Sequence, residues 1–513
     1  MFGLIFSRWH LLVAVFAIQF CLGCIYAWSV LNHPIDMAIY GDAETGHAVN
    51  TFYIALGVSG TAAAALGPII ERKGPQWAVF IGTTLFLTGQ IVTGIGCHYK
   101  SIAWIYIGYG VVSSIGMAMC YVSPLSTLQK WFPDYRGTVA GFAVAGSGAG
   151  SIVLSKAYLP IIDAVGLPWM FVLTGFIMSI PMYATLLVLR VPQADFTVNG
   201  LDIYGDSVHE NGALDKTPND GFNIVQTPVA NDAAHYDVGS SSSPTKLLTL
   251  KQAILTPEFT FIYIMFFANQ LFGIIVLSRL SGMCTDIFNK SPSTASDIVS
   301  IISASNCGGR LVFASISDLL VRTVRMEKSF SRKVLYYFTL GTQIIVIGSL
   351  PTVIRHKSFT YFVVEMFVLT NSYGGGLATI PALVTDMYGP YHVGPMQGIL
   401  LTSLSFGAIV GGITFNHSLN EKVADGKAVG EAYIDNLKAI FVIVSIGFAI
   451  LFLVRTNVTD RFEPGYHFSL CGKRVISIPP TEKSEARRAE AKAEAEIASV
   501  ECASAVVYTE LKE

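Results

Sequence analysis

The chain predicts an all-α integral membrane protein with twelve transmembrane helices in two pseudo-symmetric six-helix bundles. Three observations carry that prediction. The 513 residues are 52% hydrophobic and only 13% charged, with mean hydropathy +0.54, whereas soluble domains carry about 25% charged residues. A surface this poor in charge faces something other than water. About twelve runs are long and apolar enough to cross hydrocarbon, which takes about 20 residues of helix. Finally, the runs fall six and six around a long polar stretch.

In order, the runs lie near 10–31, 49–70, 76–97, 102–127, 138–160 and 168–190, then 258–282, 296–317, 333–354, 359–384, 396–416 and 435–455. They define an N-terminal bundle (1–190), a cytoplasmic linker (191–255), a C-terminal bundle (256–455) and a cytoplasmic tail (456–513). The linker is rich in Asp, Asn, Gly, Pro and Ser, with too few large apolar residues to offset the entropy of ordering it. In the tail, 481–500 alternates Glu, Arg, Lys and Ala at helical spacing. That pattern reads as a solvated helix held by i,i+4 ion pairs, or as the docking site of a tail-binding protein. The first span begins after nine residues with no signal-peptide cleavage pattern, so it reads as a retained signal anchor.

Positive charge in short loops orients such a chain. With the N-terminus inside, the inner segments hold ten cations (Arg8, Arg72, Lys73, Lys130, Arg136, Arg322, Arg325, Lys328, Arg332 and Lys333). The outer ones hold six (Lys100, Lys290, Arg355, Lys357, Lys422 and Lys427). Both termini are therefore expected in the cytoplasm. The choice between plasma membrane and organelle stays open. A net charge of −2 argues against a nucleic-acid partner. Cys21 and Cys24 form a CxxC in an apolar run with no second ligand pair, so no metal is implied. The loops hold no nucleophile–base constellation, so the chain does not read as an enzyme, and no cofactor is implied.

The two halves look related. After span two comes Gly67-Pro-Ile-Ile-Glu71-Arg72-Lys73-Gly74; after span eight comes Ala314-Ser-Ile-Ser-Asp318-Leu-Leu-Val-Arg322. After span four comes Trp131-Phe-Pro-Asp134-Tyr-Arg136-Gly137, and after span ten comes Asp386-Met-Tyr-Gly389. Paired halves mark transporters that rock one bundle against the other around a midplane site. Glu71, Arg72, Asp134, Arg136, Asp318 and Arg322 are the candidate cytoplasmic gate. Simple helix-end charge is the alternative. Glycines recur in span five (Gly141, Gly146, Gly148, Gly150) and span eleven (Gly407, Gly411, Gly412), where small residues allow close helix approach.

On these motifs the chain resembles the major facilitator superfamily, and within it the oxalate–formate antiporters, relatives of the monocarboxylate porters. Further features of the resemblance are Arg8-Trp9, Gly23-Cys-Ile-Tyr26-Ala-Trp28-Ser29, Thr256-Pro257-Glu-Phe259 and Asn306-Cys-Gly-Gly-Arg310. It covers both bundles but neither the linker nor the tail.

Arg310 sits well inside span eight. A guanidinium in hydrocarbon costs at least ~2.5–3.5 kcal/mol, so it belongs in the bundle interior, as a carboxylate ligand or as a structural partner. The resemblance implies the former. That family also places a lysine in span eleven, where this chain has Leu404. A single central cation favours a monocarboxylate over oxalate. Lys156 and Arg279, in the outer parts of spans five and seven, are substitute cations or snorkelling residues. The monocarboxylate porters have an aspartate where this chain has Asn306, so Glu365 in span ten is the candidate proton carrier. Alternatively, it pairs with Arg279 or Lys357. The resemblance places Tyr26 and Trp28 near substrate, and Tyr373 is a further polar residue within a span.

The expected function is secondary active transport of a small organic anion, most simply a monocarboxylate, by alternating access with exchange or proton symport. The alternatives are a non-transporting sensor or scaffold on the same frame, an oxalate-type dicarboxylate exchanger, and an efflux pump for hydrophobic cations. A buried arginine opposes the last.

Overall fold

A computed structural model of the chain describes residues 7–42, 45–193, 196–201, 250–389, 393–457, 460–461, 466–470 and 473–479. Most of the linker and, in the tail, everything after residue 479, including the 481–500 segment, lie outside them.

Eleven helices among the described residues are long and apolar enough to cross a membrane. They are α1 (Arg8–Tyr40), α2 (Val49–Lys73), α3 (Pro75–His98), α4 (Ile102–Trp131), α5 (Arg136–Val165) and α6 (Leu167–Leu187) in the first half. In the second half they are α7 (Pro257–Ile287), α8 (Pro292–Thr323), α9 (Lys328–Arg355), α11 (Val393–Ala424) and α12 (Val429–Leu451). A twelfth, α10 (Phe359–Tyr388), is 30 residues long. Its stretch Thr370–Gly376 is polar or small, which dilutes its hydropathy. All twelve predicted spans are therefore present, most of them longer than their apolar runs because polar helix ends extend past the hydrocarbon. Strands β1 (Tyr466–Leu470) and β2 (Lys473–Ile478) pair antiparallel.

Local chemistry sets the helix boundaries. Gly74 ends α2 at φ +87°, and Pro75 opens α3 at its first position. A positive φ suits glycine, and a proline at N1 gives up an N–H that has no helical partner anyway. Gly166, at φ +82°, makes the same turn between α5 and α6. α1 is not uniform: its first α-helical part ends at Leu22, short 3₁₀ turns carry Gly23–Ile25 and Trp28–Leu31, and α-helix resumes over Asn32–Tyr40. The break brings Tyr26 to the middle of the molecule.

The halves meet through two crossed helix pairs. α5 packs along α8, and α2 packs along α11. By position α8 repeats α2 and α11 repeats α5, so the two contacts are related by the internal symmetry. Glycine makes both possible. A Cβ on Gly148 would stand 2.7 Å from that of Cys307, and one on Gly141 would collide with Ala314. One on Gly60 would meet Leu401 and Ser405, and one on Gly398 the backbone of Ala63. Serine pairs line the α5–α8 seam: Ser151 and Ser303 hydroxyls lie 2.9 Å apart, and Ser155 and Ser300 hydroxyls 2.7 Å apart. The outward faces expose large apolar side chains such as Phe80, Trp169, Ile180, Phe338 and Ile345, as a lipid-facing surface requires.

Candidate functional site

Between the halves lies a cavity of about 580 Å³, counting the space open to solvent. α1 contributes Gln19, Leu22, Ile25 and Tyr26; α2 contributes Leu56, Ser59 and Gly60; α4 contributes Met117, Ala118 and Tyr121. Ser147 of α5, Leu377 of α10, and Leu401 and Leu404 of α11 complete the wall. The lining is mostly apolar with a few convergent polar groups, the usual character of a small-molecule pocket. Both amide atoms of Gln19 and the Tyr121 hydroxyl are buried with no hydrogen-bond partner.

Arg310 stands one side chain behind this wall. It is fully buried. Its Nε donates to Asn306 Oδ1 (2.8 Å) and its Nη1 to the Val144 carbonyl (2.8 Å) and the Ser147 hydroxyl. The Tyr26 ring covers the guanidinium at 5.0 Å, a cation–π contact. Nη2 has no partner. Ser147 and Tyr26 thus separate the cation from the cavity while touching both. Arg310 has no ion pair among the described residues, so a full positive charge is buried with neutral neighbours alone. Such a charge is costly unless a counter-ion arrives. The buried Tyr373 hydroxyl lies beside Tyr26 and Arg310.

The other predicted residues stand apart from this cluster. Trp28 does not line the cavity; its Nε1 donates to the Ala48 carbonyl (3.0 Å) and its ring packs on Tyr109 at 4.2 Å. Lys156 is half-exposed and pairs with Asp297, its reach to the helix surface favoured by hydration. Arg279 sits further along α7 beside Tyr53 and Tyr433. Glu365 is half-buried beside Ser349, on a face that exposes Val364, Phe367 and Val368. It pairs with neither Arg279 nor Lys357, because it points along the α9–α10 contact. Leu404, by contrast, does line the cavity. Gln19, Tyr121 and Ser147 are functional candidates that sequence reasoning missed. Of these, only Gln19, a lone amide in the apolar run of α1, left a trace in the pattern.

The loop charges gather at one end of the bundle. Asp318 of α8 accepts from the backbone N–H groups of Gly137 (3.2 Å) and Thr138 (2.6 Å), and from the Thr138 hydroxyl (2.8 Å). A carboxylate from one half thereby caps the helix N-terminus of the other, where the dipole favours negative charge. Arg332 Nη2 reaches Asp318 (2.6 Å) and its Nε reaches Asp386 (3.2 Å), which Arg136 Nη1 also contacts across the halves (3.2 Å). All four side chains are nearly inaccessible. The other predicted gate residues pair differently from their order in sequence. Glu71 takes Lys130, while Arg72 is exposed. Asp134 accepts from both terminal nitrogens of Arg8, Nη1 and Nη2 (2.9 and 3.1 Å). Arg322 stacks on Tyr135 at 3.5 Å and donates to the Asp134 carbonyl rather than meeting Asp318. Neighbours in the chain lie on different helix faces, so tertiary packing chooses the partners.

The opposite end is joined by neutral hydrogen bonds and by the exposed Lys156–Asp297 ion pair. The Tyr53 and Ser278 hydroxyls lie 2.8 Å apart, and Asn32 Nδ2 donates to the Ser278 carbonyl (3.3 Å). The halves therefore touch on both sides of the cavity.

Known proteins share this frame. The family model described as "Major Facilitator Superfamily" matches residues 3–412. The chain is 22% identical over 405 residues to the uncharacterized MFS-type transporter YhjX of Escherichia coli (strain K12), covering 79% of this chain and 86% of that one. It is 21% identical to the oxalate:formate antiporter of Oxalobacter formigenes over 94% of this chain and 97% of that one. Monocarboxylate transporter 12 of Xenopus laevis is 20% identical over 63% and 64% of the two chains. Among solved structures, a bacterial homologue of the iron transporter ferroportin in an outward-facing state superposes with TM-score 0.53 at 13% identity, covering 86% of this chain and 98% of that one. That likeness concerns the fold alone. With a family match over most of its length, paired halves and twelve spans, this multi-pass membrane protein belongs to the Major Facilitator Superfamily.

Proposed function

We propose that the protein is a secondary active transporter of a small monocarboxylate, working by alternating access. The observation that carries this reading is Arg310, a buried guanidinium with no acid partner and a free Nη2, set directly behind the wall of a central cavity. The substrate carboxylate takes the position of the missing counter-ion. For that, Tyr26 swings off the guanidinium, and the anion binds Arg310 with the Tyr26 and Tyr373 hydroxyls as further donors. Charge-assisted bonds of this kind are about twice as strong as neutral ones. The apolar wall, with Leu404 on α11, offers no second cation for a dicarboxylate. The relatives named for oxalate, formate and monocarboxylates support the same substrate class.

The latch of Asp318, Arg332, Asp386 and Arg136 closes the end that the loop charges place in the cytoplasm. Its separation and that of the Tyr53–Ser278 contact alternate, exposing the cavity to each side in turn. Exchange requires no titrating group. Asn306 carries no proton, and Glu365 stands outside the cavity, which favours exchange over a symport routed through either residue.

The test is counterflow in proteoliposomes with formate, pyruvate and oxalate. Arg310→Gln abolishes carboxylate exchange while the purified variant keeps the elution profile and helical content of the parent. Wild-type exchange by Arg310→Gln would rule out the assignment.

A further inference from the structure

The cavity is not the only place where a cation lacks a counter-ion. Arg279 of α7 has two buried nitrogens, Nε and Nη2, without hydrogen-bond partners. These two lie on one edge of the guanidinium, an edge that binds both oxygens of a carboxylate in parallel. The groups around it come from both halves. The Tyr53 hydroxyl of α2 lies beside the guanidinium and is bonded to Ser278. Tyr433 of α12 is buried near Arg279 and Tyr53, and its hydroxyl is also unpartnered. Asp286 is the acid facing this group through Tyr433. It accepts from the Thr285 hydroxyl (2.6 Å) and makes no ion pair with Arg279 among the described residues.

Position adds to chemistry. Tyr53 is one turn along α2 from Leu56, which lines the cavity, and α2 carries Glu71 at the latch end. Arg279 therefore lies beyond the cavity, toward the end joined by neutral hydrogen bonds. An anion leaving Arg310 on that side passes it. A charged fork with its binding edge free, a third donor in Tyr433, and a seat at the seam that must part together make a receptor for a carboxylate rather than a structural contact.

We propose that Arg279, with the hydroxyl of Tyr433, forms a second carboxylate site through which the transported anion passes between the cavity and the end opposite the latch. This inference rests on the transport reading above.

Saturation binding of radiolabelled pyruvate to the detergent-purified full chain, and one-sided flux in proteoliposomes of known orientation, test it. Wild type binds two pyruvates per chain; Arg279→Gln and Arg310→Gln each bind one. For Arg279→Gln the half-saturation concentration rises about tenfold or more at the face opposite the latch, the scale of losing charge-assisted bonds, and is unchanged at the latch face. Arg279→Lys gives a smaller rise. If wild type binds a single pyruvate that Arg310→Gln removes, the second site is wrong and the transport reading stands. If wild type binds none of pyruvate, formate and oxalate, both fall. Should Arg279→Gln lose all binding through misfolding, Tyr433→Phe decides: a several-fold rise confined to the same face supports the site, and unchanged kinetics overturn it. Displacement of one bound pyruvate by equimolar chloride or inorganic phosphate would assign the site to inorganic anions and overturn the carboxylate assignment.

Discussion

On the proposed reading, a single side chain sets the substrate charge that the cavity accepts. Arg310 brings one positive charge to the wall, and Leu404 lines the cavity without adding another. Replacing Leu404 with lysine should therefore change the preferred anion. Leu404→Lys raises the ratio of oxalate to formate counterflow about tenfold or more, since a close charge pair excluded from water carries that much discrimination. An unchanged ratio would show that the α11 wall does not face the anion. Glu365 gives the complementary test. Its position beside Ser349, away from the cavity, predicts that Glu365→Gln exchanges carboxylate at the parental rate; a loss of exchange would place it on the transport path. Arg310 was legible in the sequence because an arginine in mid-span is chemically anomalous. Tyr121 and Ser147 were not, and Gln19 only as a lone amide in an apolar run, because uncharged polar side chains are common in membrane helices. Only packing decides which of them face a void. The same holds for the latch: the acids and cations stood out at helix ends, but Asp386 as the partner of both Arg136 and Arg332 depends on three helices converging.

At the scale of helices, the bundles pack by backbone approach. Adjacent glycines in α8 separate this from ordinary helix propensity. A Cβ on Gly309 would be driven into the backbone of Asn371 in α10, whereas a Cβ on Gly308 meets nothing within 4 Å. Gly309→Ala should destabilise the protein by ~1–3 kcal/mol through overpacking. Gly308→Ala should be neutral or slightly stabilising, because alanine holds a helix better than glycine. Thermal unfolding followed by the far-UV signal in detergent compares them; equal midpoints would mean that α8 and α10 are not pressed together there. The helix count and the six-plus-six division were legible because a bilayer demands apolar length. α10 was the weakest signal for the same reason that it matters: its Asn371, Tyr373 and three glycines reduce hydropathy where the helix meets α8 and Arg310.

Across the whole molecule, the two closures differ in kind. One end is held by buried ion pairs shared among Arg136, Asp318, Arg332 and Asp386, the other by neutral hydrogen bonds around Ser278 and one exposed ion pair, Lys156–Asp297. A transporter must break each in turn, and the ionic one is the more sensitive to a single change. Removing one member of a buried pair strands the other charge, at a cost of ~3–5 kcal/mol. Asp386 bridges Arg136 of the first half and Arg332 of the second, so Asp386→Asn removes the direct cross-half ion pair at this end. It leaves Asp318 on the N-terminus of α5 and on Arg332. Arg136 then loses the carboxylate it meets across the halves and Arg332 keeps Asp318 alone, so both guanidinium groups gain from water, which separation of the halves supplies. The conformational balance shifts toward the state open at the latch. Ser317, fully buried against Arg332, reports on that opening when replaced by cysteine. On the Asp386→Asn background, alkylation of Ser317→Cys by a membrane-impermeant maleimide should proceed about tenfold or more faster than on the parent. Excess substrate that closes the transporter around itself should slow it again. Equal alkylation rates on the two backgrounds would mean that the cross-half ion pair contributes nothing to holding this end shut.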